Sequence, residues 1–244
     1  MTLATFYGGS VATWQRVLGD ELHYHHGLFA DGDDLADALR RAVRVLYPYL
    51  PHGARVLDVG CGWGGPLAML VEERGCAATG VTISSTQRHH AAVRGLDVRC
   101  VDVETVAELG RFDVALLLES FEHIVDKAAL LARLRGCASR IVLRVNCQDH
   151  APAGVRFGGT MHMVDSRTLR ALLEAAGWRI WVWRDRRPAS LASQPAWRER
   201  LRRLPPDVVA GDEHLATFLG WVEDVMRDQR AWAQANPLLE IVAD

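Results

Sequence analysis

Residues 56–65 read VLDVGCGWGG, an apolar run that enters a glycine-rich turn with one acid, Asp58, two positions before the first glycine. Gly60, Gly62 and Gly65 give a tight strand-to-helix turn and let a ligand lie against bare backbone. The helix start that follows favours negative charge such as a carboxylate. Asp58, at the strand's carboxyl end, suits a cationic amino group. The same glycines fit the dinucleotide pattern GxGxxG, but a nicotinamide site also wants Asp or Glu about 20 residues further on, at the ribose. Here the second apolar run ends Gly80-Val81-Thr82-Ile83-Ser84, without an acid. Asp102, after the third run, is placed to receive an adenine amino group instead. These residues point to a positively charged nucleotide gripped between Asp58 and Asp102, and away from a nicotinamide oxidoreductase.

A second set of reactive side chains is Glu119, Glu122 and His123, after the fourth apolar run. A histidine there suits taking a proton near neutral pH, with Glu122 beside it to orient or repel. The other reading gives Glu122 and His123 a capping and packing role at a helix start. His162, in the loop 158–163 (GGTMHM), is either a substrate contact and second base or a solvated loop histidine. His23, Tyr24, His25 and His26 form a third group. Adjacent histidines point different ways and no partner stands at i+4, so no metal is expected. A lid is the preferred reading, with Tyr24 or Tyr7 against a positive centre by cation–π attraction. His89 and His90 receive no role. Trp197, Trp221 and Trp232 are core or interface residues on one reading, and an aromatic wall for an apolar or planar molecule on the other.

The elements that must position these groups alternate over residues 33–185. Asp33 or Asp34 caps a helix to about 49, with Leu35, Leu39, Val43 and Leu46 on one face. Strands are expected at 55–59, 77–81, 98–101, 113–118, 140–145 and 178–184. Helices are expected at 64–73 with Pro66 in the first turn, at 84–94, at 126–134, and from a Ser166 cap to 176, stopped by Gly177. The 113–118 run is apolar throughout, as a strand covered on both faces would be. This alternation predicts a doubly wound parallel sheet with right-handed crossovers. The prolines at 188, 195, 205 and 206 break the order over 186–211. A helix is expected at 214–232 and a closing antiparallel strand at 238–243. The chain divides into an arm or lid (1–32), a ligand-binding core (33–185), a helical cap segment (186–236) and a final strand (237–244).

Composition bounds the function. The 244 residues carry 28 basic and 30 acidic side chains, a formal net charge of −2, so neither a nucleic-acid surface nor stable membrane association is expected. Lys127 is the only lysine, which reads as genome composition. Five cysteines without a CxxC, and no leader or spanning segment, lead to the expectation of a reducing cytoplasm. A homodimer is left open.

VLDVGCGWGG resembles the first motif of class I S-adenosylmethionine-dependent methyltransferases. GVTISSTQ (80–87) is similar to a segment of cyclopropane fatty acid synthases. LLLESFEHIVDK (116–127) and LHYHHGLF (22–29) are similar to segments of tocopherol, sugar and glycine/sarcosine methyltransferases. The resemblance covers about residues 20–185. It implies a Rossmann-like α/β sheet of seven strands, mostly parallel with an antiparallel last strand, plus an N-terminal helical arm and a C-terminal helical insertion. It also implies S-adenosyl-L-methionine as cofactor and transfer of methyl to O, N or C of a small-molecule acceptor, in natural product biosynthesis. By that resemblance Asp58, Gly60, Cys61 and Gly62 meet the methionine moiety. Thr82, Ile83 and Gln87 hold ribose and adenine, Asp102 and Val103 meet the adenine edge, and Glu119 lies near the sulfonium. His123 is the expected base, with Glu122 and His162 as further catalytic candidates. A cyclopropane-synthase-like lipid enzyme and a non-methylating cyclase are the alternatives.

Overall fold

The computed structural model describes residues 3–150, 154–157 and 159–244, without the side chains of 154–156. Gly158, at the start of the expected loop 158–163, lies outside the described residues.

The strands are β1 (Arg55–Val59), β2 (Ala77–Thr82), β3 (Asp97–Cys100), β4 (Phe112–Leu118), β5 (Ala138–Asn146), β6 (Gly154–Arg156), β7 (Met161–Met163), β8 (Ile180–Asp185) and β9 (Leu238–Ala243). Seven of them form one sheet in the order β3-β2-β1-β4-β5-β9-β8. All are parallel except β9, which runs antiparallel between β5 and β8. This is the expected class, with the closing strand inside the edge. The chain winds one way from β1 and the other way from β4, so a crevice opens at their carboxyl ends, with Asp58 opposite Gly80 and Leu116.

Alternation along β4 explains its apolar sequence. Ala115 and Leu117 pack on one face with Leu130, Leu134, Leu169 and Trp178, while Val114, Leu116 and Leu118 pack on the other with Val43, Leu46, Leu67 and Leu70. The helices start where short polar side chains satisfy free N–H groups. Asp34, Ser84 and Asp126 accept from the N–H groups of Asp37, Gln87 and Ala129. Asp165, not Ser166, caps helix Ser166–Ala175. β8 starts two residues later than expected, because Trp178 is buried and donates to the Leu131 carbonyl at 3.2 Å.

A third apolar cluster lies over the crevice. Trp14 and Val17 of helix Val11–Leu18 pack there with Trp197 of helix Ser193–Arg202 and with Leu215, Phe218 and Val222 of helix Glu213–Arg227. The expected break at 186–211 is instead largely helical, as Arg187–Ser190, Ser193–Arg202 and Pro206–Ala210. Pro188, Pro195 and Pro206 stand in first turns, where a missing N–H costs nothing. The expected helix 214–232 is divided at Asp228, whose extended backbone (φ −149°, ψ 74°) and side-chain bond to the Ala231 N–H start a second helix, Gln229–Ala235. The β6–β7 hairpin, of two three-residue strands, escaped the sequence reading.

Candidate functional site

The crevice is a cavity of about 730 Å³, within the range of sites that take drug-sized ligands. Its floor is the set of strand ends. Asp58, Gly60, Cys61, Gly62, Thr82, Ile83, Gln87, Asp102, Val103 and Glu119 all line it, so the structure brings together the whole expected nucleotide-contacting group. Asp58 is 2% exposed and its Oδ2 has no hydrogen-bond partner. Burial pushes its carboxyl up to about 7. A buried carboxylate without a donor is costly, and a bound cation relieves that cost. Gly62 has φ +55°, and a Cβ added there would meet nothing within 4 Å. The glycine leaves a bare cradle beside Asp58. Thr82 donates to Gln87 Oε1 at 2.8 Å, which ties the end of β2 to helix Ser85–Val93.

The arm is bound to this floor. The Ser84 hydroxyl donates to the Tyr7 carbonyl at 3.0 Å. Glu119, with φ +54°, ends β4 in the left-handed region, a strain typical of functional positions. Its carboxylate accepts from the His26 N–H at 2.9 Å, from His26 Nδ1 at 2.5 Å and from Asn146 Nδ2 at 3.3 Å. Burial opposes the charge, but the His26 hydrogen bond and the Arg144 guanidinium hold Glu119 down at about 2. His26 is neutral. Burial lowers its basicity, and the Gln194 amide donates to Nε2 at 3.1 Å, which leaves Nδ1 as the donor. His25 Nδ1 donates to the His26 carbonyl and its Nε2 accepts from His23 Nδ1 at 3.2 Å. The ring nitrogens of His25 are thus spent within the arm, and those of His26 tie the arm to Glu119 and Gln194. Among the described residues, no three His, Cys, Asp or Glu side chains are grouped to hold a metal. Tyr24 lines the cavity and bonds to His214 Nε2 at 2.8 Å.

His123 lies in the short turn Phe121–His123 after β4 and faces the cavity. Its Nδ1 donates to the Thr160 carbonyl at 2.8 Å, so Nε2 is the acceptor for the Tyr7 hydroxyl at 2.9 Å. Burial lowers His123 to about 4, so the imidazole is neutral, with its Nε2 lone pair turned to the Tyr7 hydroxyl. The turn is held by Lys127. Its Nζ donates to the carbonyls of Ile124 at 2.7 Å, Phe121 at 3.0 Å and Glu122 at 3.5 Å. Three convergent carbonyls suit an ammonium better than a planar guanidinium fork. That accounts for a lysine here in an arginine-rich chain, a role the sequence reading missed.

Two expected catalytic residues are placed elsewhere. Glu122 does not line the cavity. It is 1% exposed and accepts from the backbone N–H and the side chain of Asn146 at 2.6 and 2.7 Å, behind the wall. Burial first, and Glu119 second, raise it to about 7. His162 is also absent from the described lining, whereas Met161 and Met163 are part of it. β7 is a strand, and successive side chains alternate sides, so the two methionines face in and the histidine faces away.

The opposite end of the cavity is aromatic. Phe157, Trp197, Phe218, Trp221 and Trp232 line it, with Val225 and Asp224. Phe218 and Trp221 stack at 5.9 Å and 14°. Trp232 meets Trp221 edge-on at 5.9 Å and 77°, and the buried Arg187 guanidinium lies 4.3 Å from the Trp232 ring.

Residues 29–182 match the model of a family described as a methyltransferase domain. A probable chloroplastic tocopherol O-methyltransferase from Oryza sativa subsp. japonica is 30% identical over 169 residues, which is 59% of this chain and 46% of that protein. The chain spans about half the length of the curated relatives it matches. Among solved structures, a cyclopropane synthase from Mycobacterium tuberculosis superposes with TM-score 0.86 at 15% identity, covering 99% of this chain and 97% of that one. A coclaurine N-methyltransferase bound to N-methylheliamine and SAH superposes with TM-score 0.81 at 17% identity, covering 100% of this chain and 82% of that one. These two likenesses show the fold.

Proposed function

The chain belongs to the methyltransferase domain family, and from that premise we propose that the cavity holds S-adenosyl-L-methionine and transfers its methyl group to a small-molecule acceptor. The observation that carries this reading is Asp58, a buried carboxylate with a partnerless oxygen beside the bare Gly62 backbone. Those residues fit an amino-acid moiety that brings its own ammonium. Thr82, Ile83 and Gln87 would hold the ribose and adenine, with Asp102 and Val103 at the adenine edge. When bound, the cofactor supplies an activated methyl group on a cationic sulfur.

The chain's own work is binding, alignment and proton transfer. Floor and cap together hold the acceptor in line and exclude water. His123 is the base, reached through Tyr7. A proton leaving the acceptor's hydroxyl or amine passes to the Tyr7 oxygen while Tyr7's own proton moves to His123 Nε2. The Thr160 carbonyl then steadies the imidazolium through Nδ1–H. Glu119 and Glu122 act through the positions of the arm and of Asn146. We place the reaction in specialised metabolism and in a reducing cytoplasm, the latter supported by five free cysteines. Among the described residues, no helix is long and apolar enough to cross a membrane.

Calorimetric titration with S-adenosylmethionine and with NAD tests the reading. Binding of the first alone is expected, and binding of NAD alone would overturn it. Mass spectrometry then separates a methylated product from one isomerised without a methyl group, and the latter would make the protein a cyclase.

A further inference from the structure

The cap end of the cavity selects its ligand by shape and charge. Its rings are fixed before any ligand arrives, because each is held by another. Trp221 meets Phe218, Trp232 and Phe157, the last edge-on at 6.2 Å and 81°. The two helices that carry Trp197 and Trp221 are clamped by Arg198 and Arg202, which ion-pair with Glu223 at 2.9 and 2.8 Å. From Phe157 the rings continue to the proton-transfer pair. Phe6 lies 5.9 Å from Phe157 and 5.2 Å from Tyr7. An unbroken aromatic path therefore leads from Trp221 to the hydroxyl proposed to take the acceptor's proton. Met161 and Met163 line the same cavity with adaptable thioethers that favour ring contacts. Branched aliphatic walls would serve an alkyl chain as well, whereas aromatic rings gain stacking and edge contacts only from a π-system.

Charge narrows the class further. The ionised side chains among the described lining residues are all acidic, and of 28 basic side chains in the whole sequence none is among them. Asp224, the carboxylate at the cap, is already paired with Arg227 at 3.2 Å. An anionic acceptor would be desolvated there with no cation among the described lining residues, since Arg187 lies behind the Trp232 ring with its donors spent on Asn236, Ser190 and Asn146, and a cationic one would face the sulfonium.

We propose that the acceptor is a flat, uncharged aromatic or conjugated ring system, seated against Trp221, Phe218 and Trp232 with its hydroxyl or amine turned to Tyr7. This rests on the methyl-transfer reading. The full chain, saturated with sinefungin, whose ammonium stands where the cofactor carries its sulfonium, is titrated calorimetrically with 2-naphthol, with a linear alcohol of similar apolar area, with 2-naphthoate and with 2-naphthylmethylammonium. 2-Naphthol is expected to bind at least about tenfold more tightly than the other three, the worth of one or two good ring contacts. Trp221→Leu and, separately, Trp232→Leu are expected to erase that margin while sinefungin affinity stays within about twofold. Tighter binding of the linear alcohol would overturn the proposal in favour of a lipid-like acceptor. Tighter binding of the naphthoate or of the ammonium would overturn it in favour of ionic recognition. Loss of sinefungin binding by the parent protein is a separate result that overturns the methyl-transfer reading. The four-ligand comparison needs no variant, so misfolding of the tryptophan variants leaves it decisive.

Discussion

The two ends of the cavity solve opposite problems. The floor is polar, and its groups are fixed by the backbone of β1, β2 and β4, with one charge left unpaired at Asp58. The cap is apolar, and its rings satisfy one another across three helices and a hairpin. Before ligand binds, the floor carries an electrostatic cost and the cap a hydrophobic one. A bound cation relieves the first and exclusion of water the second. Affinity at the floor should therefore depend steeply on pH and on single charges. Affinity at the cap should depend on ring shape and only weakly on either.

The largest effect is expected at Asp58. Asp58→Asn should cost cofactor affinity by about a thousandfold or more, as loss of one partner of a buried charge pair does. The same change should stabilise the ligand-free protein. The folded-state value of about 7 lies above the ordinary carboxylate value near 4. Between those limits the unfolded chain has lost a proton that the folded chain keeps, so stability falls as pH rises through this window and levels off above it. The cost at pH 8 is on the order of 4 kcal/mol. Denaturant titrations from pH 4 to 8 should show this slope in the parent and a shallower one in Asp58→Asn. Glu122, also raised to about 7, contributes the remainder with the same sign. Cofactor affinity in the parent should rise with pH toward 7 as Asp58 ionises. A variant that binds cofactor normally would remove the contrast between floor and cap.

Smaller effects are expected where floor and cap meet. His123→Ala should lower turnover of an aromatic alcohol by about a hundredfold, typical of a lost general base, with cofactor affinity nearly unchanged. Tyr7→Phe should cost about tenfold by the same reasoning, because Nε2 then faces the cavity directly but from further away. Parent-like turnover in His123→Ala would refute the base assignment. Lys127→Arg probes the support of that turn, since the guanidinium fork cannot meet three convergent carbonyls. We expect a several-fold fall in turnover, on the order of 1 kcal/mol, with the acceptor's KM little changed. Labelled-methyl transfer measures all three.

How much of this was legible in the sequence follows the same division. β1 spans the residues the sequence predicts, and Asp58, Gly60 and Gly62 stand at its end in the cavity floor, because a glycine turn after an apolar run encodes its own backbone geometry. The cap was read only as tryptophans with two possible uses. Its helices owe their positions to one another and to the arm, and no local pattern records that. Pro188, Pro195 and Pro206 looked like breaks because a proline in a first turn and a proline in a loop are the same letter. Lys127 looked like composition because its meaning lies in three carbonyls that converge only in the folded turn.

The smallest expected effect is the one that tests the wall of the cavity by alternation. The β6–β7 hairpin pairs Val155 with His162 and Arg156 with Met161. A strand of three residues presents its first and third side chains on one face and its second on the other. With Met161 and Met163 in the lining, His162 stands on the other face of the strand, although it is the residue whose chemistry invites a catalytic role. His162→Ala should therefore change turnover by less than about twofold, as surface substitutions away from special features do. Met161→Ala should raise the acceptor's KM several-fold, since removing the contacts of a half-buried methionine in the lining costs on the order of 1 kcal/mol, and should leave cofactor affinity alone. The opposite outcome, with His162 critical and Met161 silent, would mean that the hairpin is shifted by one residue when the acceptor binds. Such a slip would exchange the faces of the whole strand and bring His162 into reach of the acceptor.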